Sequence, residues 1–268
     1  MCTVRGILGN KRKNCKMKKT ANYSNENIHF YNTQLPKLLK DFLENKKINV
    51  LADIGCGDGQ ILYALYETGL ISDAKVYAID ISEKRIERVT AKLTNVNGFV
   101  SDARKIPSLP NSSLELIINS QVIEHIEDQE TMLHEFHRLL NDNYHSKEGG
   151  YLYISSIIKN NYAVYIYRNN GKFVLDPTHV SEFKCLDEFV KKIENCGFKI
   201  IKTNKHLVTY PVFDGLLRII IYLKFINPET IIDIYKNNLF RLLRLIKIPI
   251  IGFYFVEAIA EKITIPAS

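Results

Sequence analysis

Three glycines at alternate positions follow an acid in the run Leu51-Ala52-Asp53-Ile54-Gly55-Cys56-Gly57-Asp58-Gly59. Glycine serves where φ must be positive or where a ligand comes too close for a Cβ. A helix N-terminus directly behind such a turn offers free N–H groups and partial positive charge, which suits a phosphate or an amino-acid carboxylate. Asp53 helps decide between the two. Its carboxylate is expected to point into the space that the loop encloses, repelling a pyrophosphate and attracting an ammonium. The spacing also departs from the dinucleotide pattern G-x-G-x-x-G, because Gln60 follows Gly59 and no glycine takes the next required place.

Further acids recur at intervals. Asp80, followed by Ile81, can accept two hydrogen bonds from a pair of ribose hydroxyls. Asp102, in Ser101-Asp102-Ala103, can accept from an exocyclic amine, and Asn119-Ser120-Gln121 follows one interval later. Next comes Glu124-His125-Ile126-Glu127-Asp128, a carboxylate and an imidazole side by side. His125 alone suits a general base, since an unperturbed imidazole titrates near 6.5. The plainer role for the pair is support of the following helix.

The elements that must position these residues are legible from periodicity. A strand at 48–53 precedes a helix at about 59–69, then a strand Lys75–Asp80. Ser82 is placed to cap a helix at about 83–94 that carries Ile86, Val89 and Leu93 on one face. Strands follow at about Gly98–Ser101 and Leu114–Asn119. A helix at about 129–140 then buries Met132, Leu133, Phe136, Leu139 and Leu140, before a strand Tyr151–Ile157. A loop at 159–184, a helix at 186–196 and a strand Phe198–Thr203 continue the series. Strands alternating with helices predict an α/β fold, a doubly wound, mostly parallel seven-stranded sheet with ligands at the carboxyl ends of the strands. Each acid then stands at the end of a successive strand, on one rim.

On these residues the chain resembles the class I S-adenosylmethionine (SAM)-dependent methyltransferases over roughly residues 30–200, and in the last strand. The resemblance implies a Rossmann-like fold with SAM held by Asp53, Gly55, Cys56, Gly57, Gly59, Asp80, Ile81, Asp102, Ala103, Asn119 and Gln121. The stretch from Ser120 to Asp128 is similar to the ubiquinone-biosynthesis O-methyltransferases and to small-RNA 3′-terminal 2′-O-methyltransferases. Their E-x-x-E-H pattern binds a divalent metal such as Mg that activates a hydroxyl. Glu124 and His125 match its last two positions, His179 matches a further downstream histidine, and Gln121 replaces the first Glu at the loss of one charge. A metal set of Gln121, Glu124, His125 and His179 is implied, with Glu124, His125 and His179 as the catalytic candidates.

Two other motifs carry less. His134-Glu135-Phe136-His137 has one residue too few for the zinc pattern and reads as a solvated face. Asp176-Pro177-Thr178-His179 shares only its first two letters with the amino-methylating D-P-P-Y motif, and sits in the wrong interval. Methylation of a base nitrogen is therefore disfavoured.

Across 268 residues the composition is that of an ordinary globular chain, 46% hydrophobic and 24% charged. The net charge of +7 is accounted for by residues 1–20, with Arg5, Lys11, Arg12, Lys13, Lys16, Lys18 and Lys19 and no acid. That segment reads as a disordered basic tail outside a single domain at 21–268, with Met17 an alternative initiator. The remainder is neutral, which argues against a polyanion partner. Five scattered cysteines without a C-x-x-C pair fit a reducing cytoplasm. The basic start lacks the apolar core of a secretory signal, and no stretch suits a spanning helix.

Helical spacing from Ile28 to Leu43 is expected to cover the sheet edge beside the cofactor. A helical insertion at about 207–247 precedes a last strand at Ile248–Ala260. From residue 201 onward nine Lys/Arg face five Asp/Glu among large apolar residues. That suits ordinary core packing, a lid over an apolar substrate, or peripheral contact with anionic lipid. The expectation is O-methylation of a small or lipid-like hydroxyl compound. The rivals are an RNA 2′-O-methyltransferase, an NAD-dependent oxidoreductase on the same fold, and a noncatalytic SAM- or partner-binding protein.

Overall fold

The computed structural model describes residues 35–142, 149–164, 167–169, 172–176, 178–213, 220 and 238–263. The basic tail, the helical spacing at 28–34 and most of the expected insertion, 214–219 and 221–237, lie outside these residues.

Helix α1 (Lys37–Glu44) leads to β1 (Val50–Ile54), α2 (Gln60–Glu67), β2 (Lys75–Asp80), α3 (Glu83–Lys92) and β3 (Val96–Val100). Then follow β4 (Leu116–Ser120), a 3₁₀ turn at Ile123–His125, α4 (Gln129–Leu139) and β5 (Tyr151–Lys159). The short strands β6 (Tyr167–Asn169) and β7 (Lys172–Val174) pair with each other. Finally come α5 (Leu186–Glu194), β8 (Phe198–Pro211), α6 (Asn238–Leu243) and β9 (Lys247–Lys262).

Seven strands form one sheet in the order β3-β2-β1-β4-β5-β9-β8. The first five are mutually parallel, and β9 runs antiparallel to both β5 and β8. The strand order reverses between β1 and β4, so the carboxyl ends of those two strands flank the crevice where a ligand binds in such sheets. This is the Rossmann-like, doubly wound architecture that the strand–helix alternation predicts.

Alternation along each strand sends side chains to two faces, and each face has its own core. Ala52, Ile54, Ile117 and Leu152 pack with Leu133, Phe136, Phe189 and Ile193 from α4 and α5. Leu51, Val76, Leu116 and Tyr153 pack with Leu39, Leu62, Leu65 and Val89 from α1, α2 and α3. Helix α1 packs on this second face beside β5, its Phe42 ring 5.1 Å from that of Tyr151.

Departures from the expected elements have local causes. Strand β8 runs on to Pro211, so residues 207–211 are strand and not the start of an insertion. Register shifts between Ile200 and Lys202 and between Leu207 and Thr209 break its alternation, which hid its length. The loop expected at 159–184 contains the β6–β7 hairpin. Of the two histidines expected on a solvated face, His134 is exposed, whereas His137 is half-buried, its ring packed edge-on against Phe198 at 5.6 Å. A Cβ on Gly197 would lie 2.9 Å from that ring.

Candidate functional site

The glycine bend begins where β1 ends. Gly55 and Cys56 donate to the Ile79 carbonyl, at 2.7 and 3.1 Å, which ties the bend to β2. The three glycines have φ of 79°, 56° and 76°, a left-handed conformation that side chains resist. They differ in what surrounds them. A Cβ on Gly55 would meet the Val122 side chain at 2.3 Å, so this position is closed by packing. At Gly57 the nearest atom is one nitrogen of the Arg85 guanidinium, 3.5 Å away, leaving room beside the backbone for a ligand.

Two buried carboxylates face this bend. Asp53 forms no ion pair among the described residues. Burial, with added repulsion from Asp80, raises its pKa to about 8. Asp80 Oδ2 accepts from Gly57 N and Oδ1 from Ser82 N, each at 2.9 Å. Ser82 occupies the cap position of α3, yet its side chain makes no capping bond. Asp80 instead holds the Ser82 backbone just ahead of the helix. Each Asp80 oxygen keeps a second lone pair, so a contact to hydroxyls remains available. Arg85 lies 4.0 Å from Asp80 and its Nε is buried without a partner. Sequence reading missed Arg85, although its place on the first turn behind Asp80 was a signal.

Ile81 is exposed beside this bend, and Ala103 is partly buried against the core. Asp102 is engaged from within its own turn. Arg104 donates to it from the backbone at 2.9 Å and from the guanidinium. That ion pair holds its pKa below the usual carboxylate value. At the end of β4, Asn119 Nδ2 donates to the Ile54 carbonyl at 2.8 Å while its Oδ1 is buried without a partner. Gln121 has φ of 58°, and its buried side-chain amide nitrogen also lacks a partner.

Glu124, His125 and His179 converge, with one ligand atom of each within 4.8 Å of the others. The 3₁₀ turn supplies the first two, and Glu124 O receives Val180 N at 2.9 Å, which draws in the segment carrying His179. The hydrogen-bond network sets the tautomers. Thr178 Oγ1 lies 2.6 Å from Asp176 Oδ1, to which its hydroxyl must donate. His125 Nδ1, 3.0 Å from the same hydroxyl, is then the donor there, leaving Nε2 as a lone pair. His179 Nδ1 donates to Glu182 Oε1 at 2.8 Å, and its Nε2 lies 4.0 Å from Glu124 Oε1. Glu124 Oε2 accepts from Ser156, while Oε1 is buried without a hydrogen bond. Sequence reading did not foresee Thr178 or Ser156, whose contacts span 53 and 32 residues and leave no local signature, nor Glu182, which stands only three residues after His179 and was legible as a local partner.

Burial lowers the His125 pKa to about 4, helped by the neighbouring His179, and raises that of Glu124 to about 7. Burial also opposes charge on His179. The Glu182 hydrogen bond and the Glu124, Glu182 and Asp176 carboxylates outweigh it, so its pKa rises. A base works best with a pKa near the working pH. Glu124 meets that condition and His125 does not.

Gln121 lines a cleft of about 220 Å³, together with Ile157, Leu175, His206, Val208 and Phe255. Of the expected set of Gln121, Glu124, His125 and His179, the last three converge in one group. Among the described residues His134 and His137 belong to no such group.

Comparison with known proteins agrees with this geometry. Residues 52–154 match the family described as a methyltransferase domain. A Mycolicibacterium smegmatis protein named probable S-adenosylmethionine-dependent methyltransferase is 28% identical over 153 residues, 56% of this chain and 52% of that protein. A Mycobacterium tuberculosis protein of the same description is 31% identical over 90 residues, 33% of this chain and 30% of that protein. The chain thus spans about half, or less, of the length of these curated relatives. Among solved structures, Haemonchus contortus phosphoethanolamine N-methyltransferase 2 matches with a TM-score of 0.56 and 16% identity, over 84% of this chain and 51% of that one. The [4+2]-cyclase SpnF matches with a TM-score of 0.54 and 14% identity, over 85% of this chain and 80% of that one. The methyltransferase-domain match runs from β1 into β5, the parallel strands whose carboxyl ends carry the rim residues. The two structural likenesses show the fold alone, and one fold serves more than one chemistry.

Proposed function

We propose that this protein transfers a methyl group from SAM to an oxygen of a small or lipid-like hydroxyl compound. The observation that carries the reading is the pair of buried carboxylates, Asp53 and Asp80, beside an open glycine bend. The residues fit SAM. Asp53 offers an anionic acceptor for its ammonium, Asp80 retains acceptor capacity for its ribose, and exposed Ile81 offers an apolar surface to its base. When bound, SAM supplies a sulfonium methyl group activated for in-line displacement. What the protein adds is alignment and exclusion of water.

Transfer to oxygen is supported by the cluster beyond β4. Glu124, with its pKa near 7 and its free Oε1, is suited to take the proton of an acceptor hydroxyl. The cleft beside Gln121 mixes apolar walls with the Gln121 amide and the His206 ring, which suits an apolar body carrying a polar group.

A divalent metal is a second reading of the same cluster. Glu124 Oε1, His125 Nε2 and His179 Nε2 are the atoms that would hold it, with Thr178 and Glu182 orienting the rings from behind. Two imidazoles with one carboxylate suit manganese, iron or zinc better than Mg, which prefers oxygen ligands. There the metal would lower the pKa of an acceptor hydroxyl.

Incubating the protein with methyl-labelled SAM and a cell extract, with and without chelator, tests the proposal. The expected result is label in a low-mass or lipid fraction, in a product one methylene heavier than its precursor. Label confined to protein or RNA would overturn the acceptor class. Chelator-resistant transfer would leave Glu124 as the base and remove the metal.

A further inference from the structure

The far end of the β8–β9 arm is apolar and outward-facing. Leu242 in α6 and Leu245 beyond it are each 62% exposed, and Ile248 and Ile251 in β9 are 54% and 65% exposed. These positions form one neighbourhood through the backbone. Val212 N donates to the Ile246 carbonyl, Tyr210 is in register with Ile248, and Val164 N donates to the Ile251 carbonyl. Ile246 and Val164 are themselves more than half exposed. Single exposed leucines are ordinary, whereas a contiguous group of this kind marks a surface that meets something.

Charge indicates what it meets. Residues 198–213 and 238–256 contain Lys199, Lys202, Lys205, Arg241, Arg244 and Lys247, and no aspartate or glutamate. Lys199 and Lys202 lie on the edge strand β8, where lysines deter strand-to-strand pairing. Lys205, Arg244 and Lys247 lie toward the apolar end. Among the described residues here, large aliphatic side chains bordered by cations match the interfacial region of a bilayer with anionic headgroups.

We infer that the end of the β8–β9 arm, with Leu242, Leu245, Ile248 and Ile251 at its centre, docks on an anionic lipid surface. The contact is peripheral, since no helix among the described residues is long and apolar enough to cross a membrane. The cleft beside Gln121 draws His206, Leu207, Val208 and Thr209 from this same arm. Docking would bring that cleft close to the lipid headgroups, whichever acceptor atom is methylated.

Flotation of the full chain with phosphatidylcholine vesicles, with and without about one-third phosphatidylglycerol, tests the inference. Binding is expected to the anionic vesicles, weakening as salt rises. The double substitution Ile248→Asp/Ile251→Asp is expected to lower vesicle affinity tenfold or more. Arg244→Glu/Lys247→Glu is expected to lower it further, since each cation lost at an anionic surface is worth about fivefold. Both variants should keep wild-type affinity for S-adenosylhomocysteine, which shows that they fold. Undiminished vesicle binding by both would assign the attraction to the basic residues 1–20 and overturn the inference. So would loss, in the same variants, of a dimer measured by sedimentation, because a second copy would then cover the surface.

Discussion

A carboxylate that keeps its proton to about pH 8 makes the unliganded protein sensitive to pH in a definite direction. The Asp53 pKa is raised from 3.8 to about 8 in the folded chain. The unfolded chain releases that proton near pH 4 while the folded chain retains it, so the associated stability is present below pH 4 and is lost as pH rises to about 8. The melting temperature of the unliganded protein should fall across this window, and Asp53→Asn should flatten the decline. An ammonium beside Asp53 favours the ionised form. S-adenosylhomocysteine should therefore bind more tightly as pH rises toward 8 and release a proton on binding, as calorimetry in buffers of different ionisation heat would show.

The glycines separate packing from binding at the same scale. Gly55→Ala is expected to destabilise by about 2–4 kcal/mol, combining overlap with Val122 and a left-handed φ. Gly57→Ala is expected to cost about 1–2 kcal/mol of stability but to remove most cofactor affinity, because its Cβ enters otherwise open space. Thermal melts and ligand titration of the two variants measure this contrast. The proposed role of Glu124 gives a further expectation: Glu124→Gln should lower the methyl-transfer rate at least a hundredfold while leaving cofactor affinity within a factor of two.

At the scale of elements, the sheet depends on polar pairing between its last strands. Buried Glu257 in β9 accepts from Tyr153 in β5 at 2.9 Å and from Asn204 in β8 at 2.8 Å, fastening three strands at one point. Tyr153→Phe should cost about 1–3 kcal/mol in denaturant unfolding, since it strips a donor from a buried carboxylate. The strands β1 to β5 were legible in the sequence because buried parallel strands read as short apolar runs with acids or glycines behind them. Strand β8 was legible only at its start, Phe198–Thr203, because its bulges shift the alternation and an edge strand has no second neighbour to enforce it. The rim acids were legible for the same reason as the strands that end in them. What the sequence concealed was their engagement: Asp80 bonded to the Gly57 and Ser82 amides, and Asp102 held by Arg104. The gathering of His179 with Glu124 was foreseen by resemblance, while the Thr178, Glu182 and Ser156 bonds that fix it were not.

At the scale of the molecule, charge is divided unevenly. The +7 excess equals that of residues 1–20, so the rest of the chain is balanced. Any salt-sensitive binding of RNA should therefore vanish when those residues are removed, while methyl transfer persists. RNA binding that survives the removal would favour a nucleic-acid substrate. The central claim is that the rim from Asp53 to Asp80 holds SAM, and calorimetric titration with S-adenosylhomocysteine at pH 8, on wild type and Asp53→Asn, tests it most directly. The account predicts saturable one-to-one binding that the substitution weakens by about 10- to 100-fold, as expected for a charge-assisted contact to an ammonium. No heat with S-adenosylhomocysteine, alongside saturable binding of NAD, would contradict it.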